Sequence, residues 1–193
     1  TESLTIKGFT FDFSESPTAD IISAVKGELG SPKNNYAHNL LIEDVEFIGN
    51  PNADIVAVRT MTGAAFGLVI RNCQGRYLHS LGQLHVARGL IVENCTVTGG
   101  EGGINYYGDG VAEITHLTVV GTSYGVRAGQ SSGSVNTNGT LKISSSNLTA
   151  TYPVWLRVNA PAVVEITNTE LTMLEGGEEI RNDAGDAVTI NRS

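Results

Sequence analysis

A short run in which apolar and polar positions alternate, broken once in the middle, returns along the whole chain. It reads LTIKGFTF (4–11), LLIEDVEF (40–47), LVIRNCQG (68–75), LIVENCTV (90–97), AEITHLTV (112–119), LKISSSNL (141–148), VEITNTEL (164–171) and a shortened VTINRS (188–193). The anchoring residues Ile6, Ile42, Ile70, Val92, Ile114, Ile143, Ile166 and Ile190 lie 36, 28, 22, 22, 29, 23 and 24 apart. A repeat near 22 residues with occasional insertions is the mark of a solenoid whose loops vary and whose rungs do not. Period-two alternation within each copy predicts strand. The break falls two residues after the anchor, at Gly8, Asp44, Asn72, Asn94, His116, Ser145, Asn168 and Arg192. Most of these types tolerate a left-handed backbone or satisfy a turn locally, so each copy is expected to be two short strands meeting at a one-residue corner.

A third strand is expected in each period: 19–27, 53–60, 80–87, 102–108, 124–129, 152–158 and 178–182. The first two share Ala-Asp-Ile, which suggests that Asp20 and Asp54 are equivalent. Three strands per turn, stacked on themselves at roughly 4.8 Å, give an all-β fold: a right-handed, single-stranded parallel β-helix of about seven turns with three parallel sheets, one domain over 1–193. Neither a helical bundle nor a hairpin-built sandwich fits this period. Equivalent positions then stack, so Asn72 and Asn94 are expected to form an amide ladder. Cys73 and Cys95 are expected to lie inside as free thiols, their spacing being wide for a disulfide.

The GLxIxNCxV units resemble the right-handed β-helix repeats of the pectate-lyase-like superfamily, over nearly the whole chain. The resemblance implies a secreted or cell-surface protein whose ligand class is carbohydrate; the repeat specifies fold, not activity. Sequence blocks such as Gly-His-Gly or Asp-Pro-His, which characterised members carry, are absent.

Charge narrows the partners. A net charge of −8 disfavours a phosphate backbone, so nucleic acid is not expected as a partner. No apolar run reaches the roughly 18 residues of a membrane span. Two cysteines without metal-ligand spacing argue against zinc. GDG (108–110) and NDAGD (182–186) are too thin for calcium and read as turns, so no cofactor is expected.

Candidate chemistry lies on the outward positions of the third strand: Lys26, Arg59, His85, Tyr107, Arg127, Trp155, Arg157 and Arg181. Lys26, Arg59, Arg127, Arg157 and Arg181 place five of the twelve basic residues of an acidic chain on one face. Arginine clamps carboxylate or sulfate bidentately, and Trp155 offers a flat face to a sugar ring. Lys26, Arg59, Trp155, Arg157 and Arg181 are therefore candidate substrate-binding residues for an anionic polysaccharide. Ordinary solvated arginines with acidic neighbours, such as Glu179 beside Arg181, are the plainer alternative. His85, Tyr107 and Arg127 on consecutive rungs offer the base, acid and charge neutraliser of a uronate β-elimination. Asp20 and Asp54 could align on neighbouring rungs as the carboxylate pair of a glycoside hydrolysis, but they open strands, and PTADI and PNADI read as turn-and-start signals. His79 and His116 read as structural. Insertions at 27–39 and 129–139 leave near the third strand, where they would overhang such a groove.

Three functions stay open on these residues: a glycan-binding module of a larger polysaccharide-processing or adhesive protein, a polysaccharide lyase or epimerase, and a structural stalk or tailspike-like segment. The terminal rungs carry no amphipathic cap, which suggests a segment of a larger secreted protein or self-association through the ends.

Overall fold

The computed structural model describes residues 3–24, 39–65, 67–86, 89–108, 110–134 and 136–193. The first rung holds β1 (Ser3–Lys7), β2 (Thr10–Asp12) and β3 (Thr18–Ala24), and the second β4 (Asn39–Glu43), β5 (Glu46–Ile48) and β6 (Asp54–Ala65). Then come β7 (Leu68–Arg71), β8 (Gln74–Leu78) and β9 (Ser80–Val86), followed by β10 (Leu90–Glu93), β11 (Thr96–Gly100) and β12 (Gly102–Tyr106). The next rungs are β13 (Val111–Thr115) with β14 (Thr118–Ala128), and β15 (Asn136–Ser144) with β16 (Asn147–Leu156). The chain ends on β17 (Pro161–Thr167), β18 (Glu170–Met173), β19 (Ile180–Asn182) and β20 (Thr189–Arg192). Every pairing is parallel, and first strands stack on first strands throughout, as in the right-handed parallel β-solenoid expected. No helix among the described residues is long and apolar enough to cross a membrane.

The three expected faces are hydrogen-bonded into two sheets, of eight and twelve strands. The second and third faces join because β14 and β16 run without interruption through the corner between them. In β14 the bend is absorbed by a bulge between Val120 and Thr122.

The solenoid has about five turns, not the seven expected. Burial explains the difference. Leu40, Ile42, Val45 and Phe47 on the second rung are at most 2 % exposed, and so are their counterparts up to Leu141, Ile143, Leu148, Val154 and Leu156. The first rung, with Leu4 57 % and Phe9 56 % exposed, and the short strands β19 and β20 only lean on that core, to which β18 adds Leu171 alone.

The corner after the first strand forms as the residue types predict. Gly8, Asp44, Asn72, Asn94, His116, Ser145 and Asn168 all have φ between 47° and 74°, the left-handed region. Arg192, in the truncated last copy, does not join them. Asn94 Nδ2 donates to Asn72 Oδ1 (2.9 Å), and Asn72 Nδ2 donates to Asp44 Oδ1 (3.1 Å), so the ladder runs over three rungs. The hydrogen bond from Asn72, then that from Lys7, holds the Asp44 carboxyl below its ordinary range. Cys73 and Cys95 are free and 1 % exposed, and the neighbouring Cys73 sulfur, then burial, pushes the Cys95 thiol up.

Asn94→Ala should lower unfolding free energy in urea by about 1–3 kcal/mol, the left-handed penalty plus one net hydrogen bond. Asn94→Gly, which keeps the backbone free, should lose only the ladder bond, about 1 kcal/mol. Equal losses in the two variants would mean that the corner geometry contributes nothing.

Candidate functional site

The register of the third strand aligns Ser23, Arg59, Gln83, Asn105, Arg127, Trp155 and Arg181 in one column. Of the expected face, this brings Arg59, Arg127, Trp155 and Arg181 into line. His85 and Tyr107 stand two residues further along their strands, and Gln83 and Asn105 occupy the places expected for them. A two-residue slip keeps every side chain on its face, so packing does not distinguish the two registers by periodicity alone. Lys26 lies outside the described residues.

Arginines and aromatics gather at the upper end of the column. The Arg181 guanidinium carbon is 4.7 Å from the Trp155 ring centroid and 5.0 Å from that of Tyr152. The corresponding carbon of Arg157 is 5.3 Å from Trp155. That of Arg127 is 4.2 Å from Tyr124 and 5.5 Å from Trp155. Trp155 is thus approached by three guanidinium groups, each contact contributing about 0.5–1 kcal/mol where exposed and more where desolvated. Asp183 ties the group together: Trp155 Nε1 donates to its Oδ2 (2.8 Å) and Arg181 Nε to its Oδ1 (3.0 Å). The Trp155 hydrogen bond first, then Arg181, holds the Asp183 carboxyl below its ordinary range.

Arg127 is 8 % exposed, its Nη1 3.7 Å from Glu101 Oε1, and its buried Nε has no hydrogen-bond partner in the protein. Arg181 pairs with Asp183 and not with Glu179, whose carboxylate instead accepts from Arg192 at 2.7 Å. Among the described residues, arginines 127, 157 and 181 have Glu101 and Asp183 as their carboxylate neighbours.

Lower on the face, the His85 and Tyr107 rings stack at 4.4 Å between centroids and 19° between planes. Thr60 Oγ1 fixes the His85 backbone, accepting from its N–H at 2.8 Å and donating to its carbonyl at 3.2 Å. Burial first, then the charge of Arg59, lowers the His85 pKa, so the imidazole is neutral near pH 7. Asn105 is fully buried, donates through Nδ2 to Tyr107 Oη, and leaves its Oδ1 without a protein partner. The structure thus pairs His85 with Tyr107, and sets Arg127 opposite Asn105 rather than in line with them.

The carboxylate pair Asp20 and Asp54 does not align. Asp54 stands opposite Thr18, and Asp20 opposite Val56, because the shared Ala-Asp-Ile segments are offset by two residues. Asp54 pairs instead with His79, whose Nδ1 is 3.1 Å from Asp54 Oδ1 and 2.7 Å from Glu101 Oε2. Asp183, Asn105 and Gln83 carry no signal in the sequence, since each acquires its neighbours only when the rungs stack. Compared with known proteins, the chain matches no family model, no curated protein and no solved structure.

Proposed function

We propose that this β-solenoid is a secreted or cell-surface carbohydrate-binding module whose third-strand face takes an acidic polysaccharide. The observation that carries the reading is the Arg127, Arg157 and Arg181 cluster around Trp155, with Asp183 tying Trp155 to Arg181, in a chain of net charge −8. A concentration of guanidinium groups against the sign of the whole molecule suits carboxylate or sulfate groups, which arginine binds bidentately. The rungs repeat at roughly 4.8 Å, close to the length of a sugar unit, so a chain laid along the column would meet successive side chains. The likeness to pectate-lyase-like repeats supports carbohydrate as the ligand class and a polysaccharide-processing or adhesive parent protein.

A second reading, lyase or epimerase chemistry on a uronate, is favoured by one observation: a neutral His85 stacked on Tyr107. In an elimination, His85 would take the proton α to the uronate carboxylate while the C–O bond on the β carbon breaks. The electron pair of the C–H bond becomes the new C=C bond, and Tyr107 protonates the departing oxygen. Arg59 or Arg127 would neutralise the carboxylate as charge develops on it.

The two readings separate in one experiment on the whole chain, offered polygalacturonate, alginate, a sulfated glycan and a neutral glucan at low and high salt. Salt-sensitive retention of the acidic polymers, without the ultraviolet absorbance of an unsaturated uronate, is the expected result. Rising absorbance that His85→Ala abolishes would replace the binding module by the lyase. No retention and no absorbance would remove both and leave the structural stalk.

A further inference from the structure

Between β5 and β6 the chain follows a five-residue loop, 49–53, whereas the next three rungs cross the same corner far more tightly. One residue, His79, separates β8 from β9; one residue, Glu101, separates β11 from β12; and β14 does not break at all. The long loop therefore overhangs the short corners and borders an open cleft of about 640 Å³. That volume is in the usual range of a small-molecule site. The cleft is reached from the corner, not from the arginine column.

Its lining has two chemistries. His79 on one rung meets the exposed carboxylates of Asp54 from the rung below and Glu101 from the rung above, at 3.1 and 2.7 Å. Asn52 and Ser123 add further hydrogen-bonding groups at its edges. The other chemistry is Tyr77, 49 % exposed, whose backbone takes φ +54° although it is neither Gly nor Asn. Its ring lies over Gly99, where a Cβ would come within 3.0 Å of the ring, so the missing side chain at 99 gives it that seat. A half-exposed tyrosine gains little from burial to offset a left-handed backbone, and such residues persist where the surrounding structure holds them for use.

We infer that this cleft is a separate site for a neutral, hydroxyl-rich saccharide unit. Tyr77 would receive the C–H face of the sugar ring, and the outer oxygens of Asp54 and Glu101 would accept from its hydroxyl groups. Uronate carboxylate or sulfate groups bring no hydrogen to donate and would meet acceptor oxygens instead of donors. A cationic ligand fits less well. His79 already lies between the carboxylates, and Arg127 Nη1 is 3.7 Å from Glu101, so the lining offers acceptors more than net charge. The cleft shares Glu101 with Arg127 of the arginine face, but the inference does not depend on that reading.

The test is calorimetric titration of the whole chain with neutral β-linked hexasaccharides of glucose, xylose and mannose at two salt concentrations. At least one should bind, with an affinity that salt leaves unchanged. Tyr77→Gly and Asp54→Asn should each weaken it by at least about tenfold, while Arg181→Ala leaves it as it was. Glycine takes the positive φ without steric cost, so Tyr77→Gly should melt no lower than the parent, and its lost affinity is then not lost fold. Failure of all three sugars to bind, binding that survives both cleft variants, or binding that Arg181→Ala abolishes would each overturn the inference. So would binding of spermidine, used as a cationic control, in place of the sugars.

Discussion

Trp155→Ala is expected to weaken binding of an acidic polysaccharide by well over tenfold, more than the loss of any single arginine. A charge-assisted hydrogen bond is worth about 1.5–3 kcal/mol, and 1.4 kcal/mol is a factor of ten, so Arg157→Ala or Arg181→Ala alone should cost about ten- to a hundredfold. Trp155 makes no such charged contact itself, but it sets the places of three arginines. Its ring receives Arg127, Arg157 and Arg181, and its Nε1 positions Asp183, which in turn holds Arg181. Without the indole those guanidinium groups regain their rotamer freedom. The ordering cost, about 0.5–1.5 kcal/mol for each long side chain, then falls on the binding step. Trp155→Phe separates the parts: it retains a ring for the arginines and loses the bond to Asp183, so its loss should lie between wild type and alanine. The measurement is affinity for polygalacturonate at two salt concentrations. Arg157→Ala should flatten the salt dependence, whereas Trp155→Ala should lower affinity at both concentrations. Unchanged affinity in Trp155→Ala would remove the arginine cluster as the binding face.

Much of the fold is legible in the chain because its determinants are local. The first corner falls at the same place in each copy, and Asp44, Asn72 and Asn94 are types whose preferences do not wait for tertiary contacts. What is not local is harder to read. The Ala-Asp-Ile of the first two rungs suggests one alignment, and the structure takes another, two residues away, that serves the inward face equally well. The same slip separates Arg127 from His85 and Tyr107. Trp155 and Arg181 stand on the expected face, but the residue that joins them, Asp183, lies in the NDAGD stretch, which reads as a turn. Tyr77 is missed for a related reason. Its backbone conformation runs against its residue type, and the cleft beside it exists only because a loop on one rung overhangs tight corners on the next three. The number of turns is overcounted because repeat copies mark rungs, while closure requires core on both sides of each rung.

That last distinction has an energetic consequence, and Phe47→Ala should expose it. Phe47 is fully buried in β5, its ring stacked on Phe11 below at 5.8 Å and 11°. Its partner above in the register is Gly75, which brings no side chain into the core. Truncation to alanine would leave a void beside Gly75, against which the side chain of Leu78 lies. The usual Phe→Ala cost is about 3–5 kcal/mol, and Leu78 leaning into the space would reduce it without abolishing it. In a compact domain such a loss lowers the stability of every part together. In a solenoid each rung contacts only its neighbours, so the loss stays near the rung where it is made. The first rung is already half-exposed, and Phe47 is what Phe11 packs on. Hydrogen exchange should therefore show strands β1 to β5 opening at low denaturant while β10 to β17 keep their protection. Leu90→Ala, in the closed middle of the stack, should instead lower protection on both sides of it. A single transition in Phe47→Ala, with protection lost equally from β1 to β17, would mean that the stack folds as one unit. The end rungs would then owe their stability to the whole coil and not to the rung beside them.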